Sequence, residues 1–507
     1  MSEHSCGRSL ASTDYHIRDT LTASLTQNRH ILNQRLPLSD SFDFITREIS
    51  LGETDCFFIG VNGMCDIVTL QRVLSDLQDP EFIGSPGIRD LPAFVKDKFS
   101  YVQVSMTDSF DTICHNVLCG PCVLLFEGFD RALLVDVRKY PSRSIQTPET
   151  ERVLRGARDG FVETLLTNTN LLRRRLRIPG LTFALHTVGT NSRTDVAVAY
   201  IRDNCDRQLL SHLNRKLDSL QASELTMGIQ SLKELLLKKS FLHPMPAFFL
   251  TERPDVACSY LTEGHILVFV DNSPFAMVVP CTVFQFTQSP EDYYKAPLIG
   301  TYQRLVRFLC LLGSLLIMPL FLYLSLHPGL LPAGFESLIP QGISPLAVFI
   351  YVLFVEFGLD VFKYASAHAA GNYSGAFAIV GGLIIGDMAT QLQWASPEVI
   401  FYGAATLLAS LGISSIELAD AIKLYRFFLI LITGFFPDFG LLWGLILILL
   451  SVLTTPVFYR KSYFWPLFPF CLKGLKTLLF RYPTYRAQPE RKGTMDTTDN
   501  MDMEKEP

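Results

Sequence analysis

Glu356, Asp360 and Lys363 stand at i, i+4 and i+7 in an otherwise apolar run, so a helix over this stretch carries all three on one face. Charges placed among apolar residues face a protein interior or water, because lipid exposure costs about 2.5–3.5 kcal/mol each on insertion scales. One chemistry for such a stripe is an acidic lining for a cation path. The other is a neutralised structural pair, Asp360 with Lys363, leaving Glu356 near an aqueous boundary. Asp387 in GGLIIGDMAT and Asp438 in GFFPDFG pose the same choice. Three such acids besides Glu356 tilt the balance toward ion passage.

Other chemistry-bearing residues lie earlier in the chain. Cys114, Cys119 and Cys122 have the C-x4-C-x2-C spacing of plant-type iron–sulfur ferredoxins, with His115 beside the first. A fourth ligand is missing at any usual distance, and Cys122 opens an apolar strand, so buried thiols are expected and no metal or cofactor. Arg173, Arg174, Arg175 and Arg177 read as the solvated face of a helix in preference to a phosphate or headgroup patch. Glu151, Arg155, Arg158, Asp159 and Glu163 form a mixed-charge cluster suited to a helix start and inter-lobe salt bridges. No Walker A, G-x-G-x-x-G, G-x-S-x-G or H-E-x-x-H pattern occurs, and no enzymatic activity is expected.

The elements that must hold these residues divide the 507-residue chain in two. From Phe308 to Leu326 nineteen residues run without a charge, behind Lys295, Arg304 and Arg307; about twenty apolar residues span a bilayer core. Mean hydropathy is +0.26 with 18% charged residues, the apolar excess lying between residues 305 and 460. A net charge of -5 and the lack of a basic arm argue against nucleic acid as partner. The first twenty residues lack a charged segment followed by an apolar run, so the soluble half is expected on the cytoplasmic side. The eleven scattered cysteines are then expected as free thiols.

Residues 1–37 read as a flexible segment. Between 40 and 285 short apolar runs alternate with helical patterns, giving two α/β lobes, 38–145 and 146–300. Strands are expected at 56–61, 122–128, 131–137, 182–189 and 195–203, and helices at 67–77, 161–176, 206–219 and 225–238. A hairpin is expected at 265–280. The predicted class is therefore a two-lobe soluble α/β domain followed by a transmembrane α-helical bundle over 301–458, with four to six membrane segments. Beyond the first, apolar segments lie near 343–362, 374–391, 397–415 and 427–455. GGLIIG at 381–386 suits close helix packing. Residues 459–483 suit a basic, amphipathic interfacial segment, and 484–507 a disordered tail.

Basic residues set a topology test. Arg304 and Arg307, Lys363, and Lys423 with Arg426 each fall inside if they follow successive spans. One further span would then leave Arg460, Lys461, Lys473, Lys476 and Arg481 outside. A re-entrant hairpin broken at Pro437-Asp438 resolves the conflict; otherwise five spans hold with an exposed basic tail.

The strings ERVLRGARDGFVETLLTNTNLLRRRLRIPGL, TERPDVACSYLTEGHILVFVDNSPFAMVVP and FQFTQSPEDYYKAPLIGTYQRLVRFL resemble the A-subunit family of bacterial spore germinant receptors over roughly residues 38–480. PLIGTYQRLVRFL, HPGLLP and YFWPLFPF are most similar to its stage V sporulation protein AF branch. The resemblance implies a multi-pass protein of the spore inner membrane, its lobes facing the spore core. It further implies a homo-oligomeric, ion-conducting subunit that releases monovalent cations on germination, partnered by receptor subunits or another small membrane protein. The cysteine cluster departs from relatives, which generally carry other small residues there. Glu356, Asp360, Asp387 and Asp438 are candidates from their charge and not from a family motif. A scaffold and a solute transporter remain alternatives, although an inverted repeat expected of a transporter is not evident.

Overall fold

The computed structural model describes residues 19–481 except 52, 80–87, 100, 102, 141–155, 238–242, 333, 369–385, 387, 389, 393, 460–462 and 469. In the first lobe the chain runs α1 (Leu25–Arg35), β1 (Phe44–Leu51), β2 (Thr54–Val61), α2 (Ile67–Gln78), α3 (Leu91–Lys98), β3 (Val104–Thr107), α4 (Phe110–Cys119), β4 (Cys122–Phe126) and β5 (Ala132–Val135). The second runs α5 (Leu165–Arg175), β6 (Leu181–Val188), β7 (Thr194–Ile201), α6 (Arg207–Asp218), α7 (Ile229–Leu236), β8 (Phe249–Thr251), α8 (Pro254–Thr262), β9 (Ile266–Val270) and β10 (Ala276–Val279). Their sheets have matching antiparallel orders, β1-β2-β4-β5-β3 and β6-β7-β9-β10-β8. Helices cover both faces of the first sheet. Leu32, Leu36, Phe110 and Ile113 pack on Phe57 and Leu125, while Val73, Leu77 and Phe94 pack with Phe58 and Leu124. Burial on both faces makes the central strands read as unbroken apolar runs.

The likeness of the lobes extends to single side chains. Asn28 and Asn168 each bridge back to the segment before α1 or α5, accepting from Thr22 N (2.9 Å) or Val162 N (2.8 Å) and donating to the same residue's carbonyl (2.6 Å in both). Glu127 accepts from Leu25 N (2.6 Å) and Asp271 from Leu165 N (3.2 Å), so an acid after the fourth strand of each sheet caps the lobe's first helix. Gly120 (φ +111°) and Gly264 (φ +91°) both turn the chain from helix to strand in the left-handed region. The chain therefore carries one lobe design twice.

Two expectations need correction. The segment 1–37 is not flexible throughout, since α1 lies at 25–35, and Leu32 within it and Leu36 just after it are completely buried. Residues 161–164 are not helical, because α5 begins at Leu165. The boundary between lobes and the tail 484–507 lie outside the described residues.

Beyond a pair of short turns, the helical half runs α9 (Pro297–Leu326), α10 (Pro345–His368), α11 (Pro397–Leu411), α12 (Ile416–Phe435), α13 (Gly440–Leu453) and α14 (Leu472–Leu479). Among the described residues, α9 and the Pro345–Tyr364 part of α10 are long and apolar enough to cross a membrane; α11 and α13 are shorter apolar helices. Met318, Phe321, Val348, Val352, Val399 and Ile430 form the core shared by α9, α10, α11 and α12. Leu418, Ile422 and Tyr425 of α12 instead join the core of the second lobe, so no seam separates the two halves. The sequence-predicted segment 374–391 lies mostly outside the described residues.

The break expected at Pro437-Asp438 is present as a turn between two antiparallel helices, but the first of them is longer than the ten residues expected before the proline. α12 starts eleven residues before 427 and spans 20 residues, about 30 Å. It turns over Phe436–Phe439 and α13 returns, so that Phe458 and Tyr463 reach the second lobe: Tyr463 donates to Pro246 O (2.8 Å) and accepts from Val283 N (3.0 Å). Lys423 and Arg426 therefore do not lie in a loop after a span. They sit inside α12.

Candidate functional site

α10 and α12 run antiparallel and meet along a ladder of three ion pairs. Glu356 pairs with Arg426, Asp360 with Lys423 (2.9 Å) and Lys363 with Asp420 (3.2 Å). On α10 the charges read minus, minus, plus at i, i+4 and i+7; on α12 Arg426, Lys423 and Asp420 answer plus, plus, minus at i, i−3 and i−6. Three acids and three bases leave the ladder neutral. Its side chains open toward the lobes: the first pair is 4% and 6% exposed, the second about a third exposed, and the third 42% and 59% exposed.

The buried rung is fully organised. Arg426 Nε donates to Glu356 Oε1 (2.8 Å) and Nη2 to Oε2 (3.0 Å), a two-point fork. Its Nη1 donates to Ser314 O (2.8 Å) and contacts Ser314 Oγ (3.2 Å) on α9. One guanidinium thus ties three helices.

The four candidate residues fare differently. Glu356 and Asp360 are both on the ladder, but the expected Asp360–Lys363 pair is replaced by partners on α12, because those side chains meet across helices. Asp387 lies outside the described residues. Asp438 is at the opposite end of α12, exposed, with an oxygen 3.2 Å from His327 Nε2. The sequence reading missed Arg426, Lys423 and Asp420 as partners. Their complementary signs at reversed spacing were the signal available.

Where the lobes meet the helices, Asp292 is fully buried and receives Arg304 Nε (3.2 Å) and the Arg307 guanidinium. Arg304 also donates to Leu478 O (3.2 Å), and Arg481 donates to Tyr293 O (2.7 Å) and Lys295 O. The start of α9 is therefore clasped from both sides, by the lobe and by α14. Lys233 of α7 adds an ion pair to Glu417 in the first turn of α12 (2.9 Å).

The arginine run is not simply a solvated face. Arg173 is wholly buried, with Nε and Nη2 3.0 and 2.9 Å from Asp43 Oδ2 across the lobe boundary, its guanidinium between the Phe44 and Phe183 rings. Arg174 lies over Tyr140 and Arg175 pairs with Asp159. Cys114, Cys119 and Cys122 are all buried, and burial pushes the Cys114 thiol up to about 11. The thiol nearest Cys122 is Cys65, not either of the other two.

The match to the family model described as Bacillus/Clostridium GerA spore germination protein covers residues 31–492. Stage V sporulation protein AF of Bacillus subtilis (strain 168) is 30% identical over 90% of this chain and 92% of that protein. Spore germination protein KA of the same organism is 29% identical over 91% of this chain and 85% of its own length. Among solved structures, the N-terminal domain of the A subunit of the Bacillus megaterium spore germinant receptor GerK3 is 22% identical, with a TM-score of 0.41, covering 52% of this chain and 96% of that one. From residue 31 to residue 492 the sequence fits one model end to end, and the chain belongs to the GerA spore germination protein family.

Proposed function

We propose that this chain is a non-enzymatic, multi-pass membrane subunit of spore germination, whose copies assemble to conduct monovalent cations when germination is triggered, with both lobes on the spore-core side. The observation that carries the reading is the charge ladder: two largely apolar helices hold six acidic and basic side chains in register along one seam. Ionised groups in such helices are expensive and mark functional paths. Glu356, locked beneath Arg426, positions the helices. Asp360 and Lys423, partly exposed, are the pair able to part and admit an ion.

A second reading is an accessory scaffold that organises receptor subunits or a small membrane protein. It is favoured by the pairing of every ladder acid, which leaves the seam neutral. Potassium release from germinating spores separates the two, comparing the native chain, its deletion and Asp360→Asn. Slower release on deletion together with altered release in the variant supports conduction. Slower release on deletion with a variant indistinguishable from the native chain supports the scaffold, and no effect of deletion removes both.

A further inference from the structure

Cys65 Sγ lies 3.3 Å from Cys122 Sγ. Cys122 opens β4 and is buried, while Cys65, in the turn between β2 and α2, is partly exposed. The two sulfurs are thus placed as an attacking and a resolving thiol, one on a partly exposed residue and the other on a buried one. A disulfide needs them about 1.3 Å closer, given the usual S–S length near 2.04 Å. The Cys122 hydrogen bond holds the Cys65 thiol below its ordinary range, which favours the thiolate there.

The second lobe supplies an internal comparison. Its turn before α6 holds Cys205, immediately before the capping Asp206, as Cys65 immediately precedes Asp66. The first residue of the matching strand β9 is Ile266, where β4 has Cys122. One lobe design therefore carries a thiol pair in one copy and a single thiol in the other. Packing alone is satisfied by isoleucine at this position, so the fold does not require the second sulfur.

We infer that Cys65 and Cys122 are a reversible disulfide site served by a low-molecular-weight disulfide. The Cys65 thiolate attacks one sulfur of the small disulfide, forming a mixed disulfide and releasing one small thiol. Cys122 then attacks Cys65 Sγ, giving the Cys65–Cys122 bond and the second small thiol; the protein loses two hydrogens and the small disulfide gains them. The bond pins the Val61–Asp66 turn. Gly63 in that turn (φ +77°) passes close to Asn170 and Leu166 of the second lobe, so the modification acts where the lobes touch.

The test is mass spectrometry of the full chain in membranes after treatment with oxidised glutathione, with free thiols alkylated under denaturing conditions. The expected result is a Cys65–Cys122 cross-linked peptide that dithiothreitol reverses and Cys65→Ser abolishes, with glutathione retained on Cys205. In Cys122→Ser, glutathione should accumulate on Cys65. The inference is overturned if the native chain keeps glutathione on Cys65 with Cys122 alkylated, if Cys65 cross-links elsewhere, or if both thiols alkylate fully while Cys205 is modified. The native-chain readout stands even if a variant does not fold.

Discussion

Arg426 grips both oxygens of Glu356 and, through its remaining nitrogen, the backbone of Ser314, so that one side chain fixes the spacing of α9, α10 and α12. A charge so enclosed is held by its partner, and its partner by it.

Removing one member should therefore cost far more than removing both. Glu356→Ala leaves a buried guanidinium uncompensated, at about 3–5 kcal/mol, whereas replacing both Glu356 and Arg426 with leucine should recover most of that loss. Thermal midpoints of the detergent-solubilised variants provide the check. Equal losses in single and double variants would contradict the coupling.

Within the arginine run the three neighbours should separate sharply. Arg173→Leu leaves the fully buried Asp43 without its charge partner and is expected to destabilise the chain by about 3–5 kcal/mol. Arg174→Ala, at an exposed side chain stacked on Tyr140, should cost less than about 1 kcal/mol. Chemical unfolding followed by tryptic cleavage between the lobes measures both.

Asp255 links α8 of the second lobe to the segment that enters α9. Burial works to raise its pKa, but the Arg253 guanidinium and the Tyr294 hydroxyl (2.6 Å) outweigh it and hold the carboxyl below the usual 3.8. A lowered folded pKa gives stability that is present above 3.8 and lost as pH falls through the folded value. Asp255→Asn should therefore cost about 1–3 kcal/mol at neutral pH. The gap from the native chain should close in acid as the native carboxyl protonates. A gap independent of pH would refute the assignment.

Asp292 receives two arginines in a buried setting, and Asp292→Ala removes the carboxylate they share. Loss of the clasp is expected to expose the segment around Leu478–Arg481 to protease at least several-fold faster, because Arg304, which donates to Leu478 O, loses the carboxylate that positions it. Unchanged cleavage there would mean α14 is secured by other contacts.

Much of the lobes was legible because Cys56–Val61, Cys122–Val135 and Leu181–Ile201 are dense apolar runs broken at clear turns. The doubling of the design was not, since it resides in separated polar positions such as Asn28 with Asn168 and Glu127 with Asp271, whose roles show only when hydrogen bonds are traced. α12 was misplaced for a related reason. A hydropathy pattern treats Asp420, Lys423 and Arg426 as residues that end a span, whereas α10 carries the opposite charges that let them lie within one. Glu356, Asp360 and Lys363 were recognisable as one face; what that face met was not.

The clasp at Asp292 has a consequence for the order in which the chain is made. Tyr293 precedes Arg481 by 188 residues, and the carbonyls of Tyr293 and Lys295 receive that arginine only after every helix between them has been synthesised. A ribosome thus delivers the lobes early, threads the helical half next, and supplies the fastening last. A chain that stops between Tyr463 and α14 would hold every residue of the second lobe's core and still lack the arginine that closes on Tyr293 and Lys295.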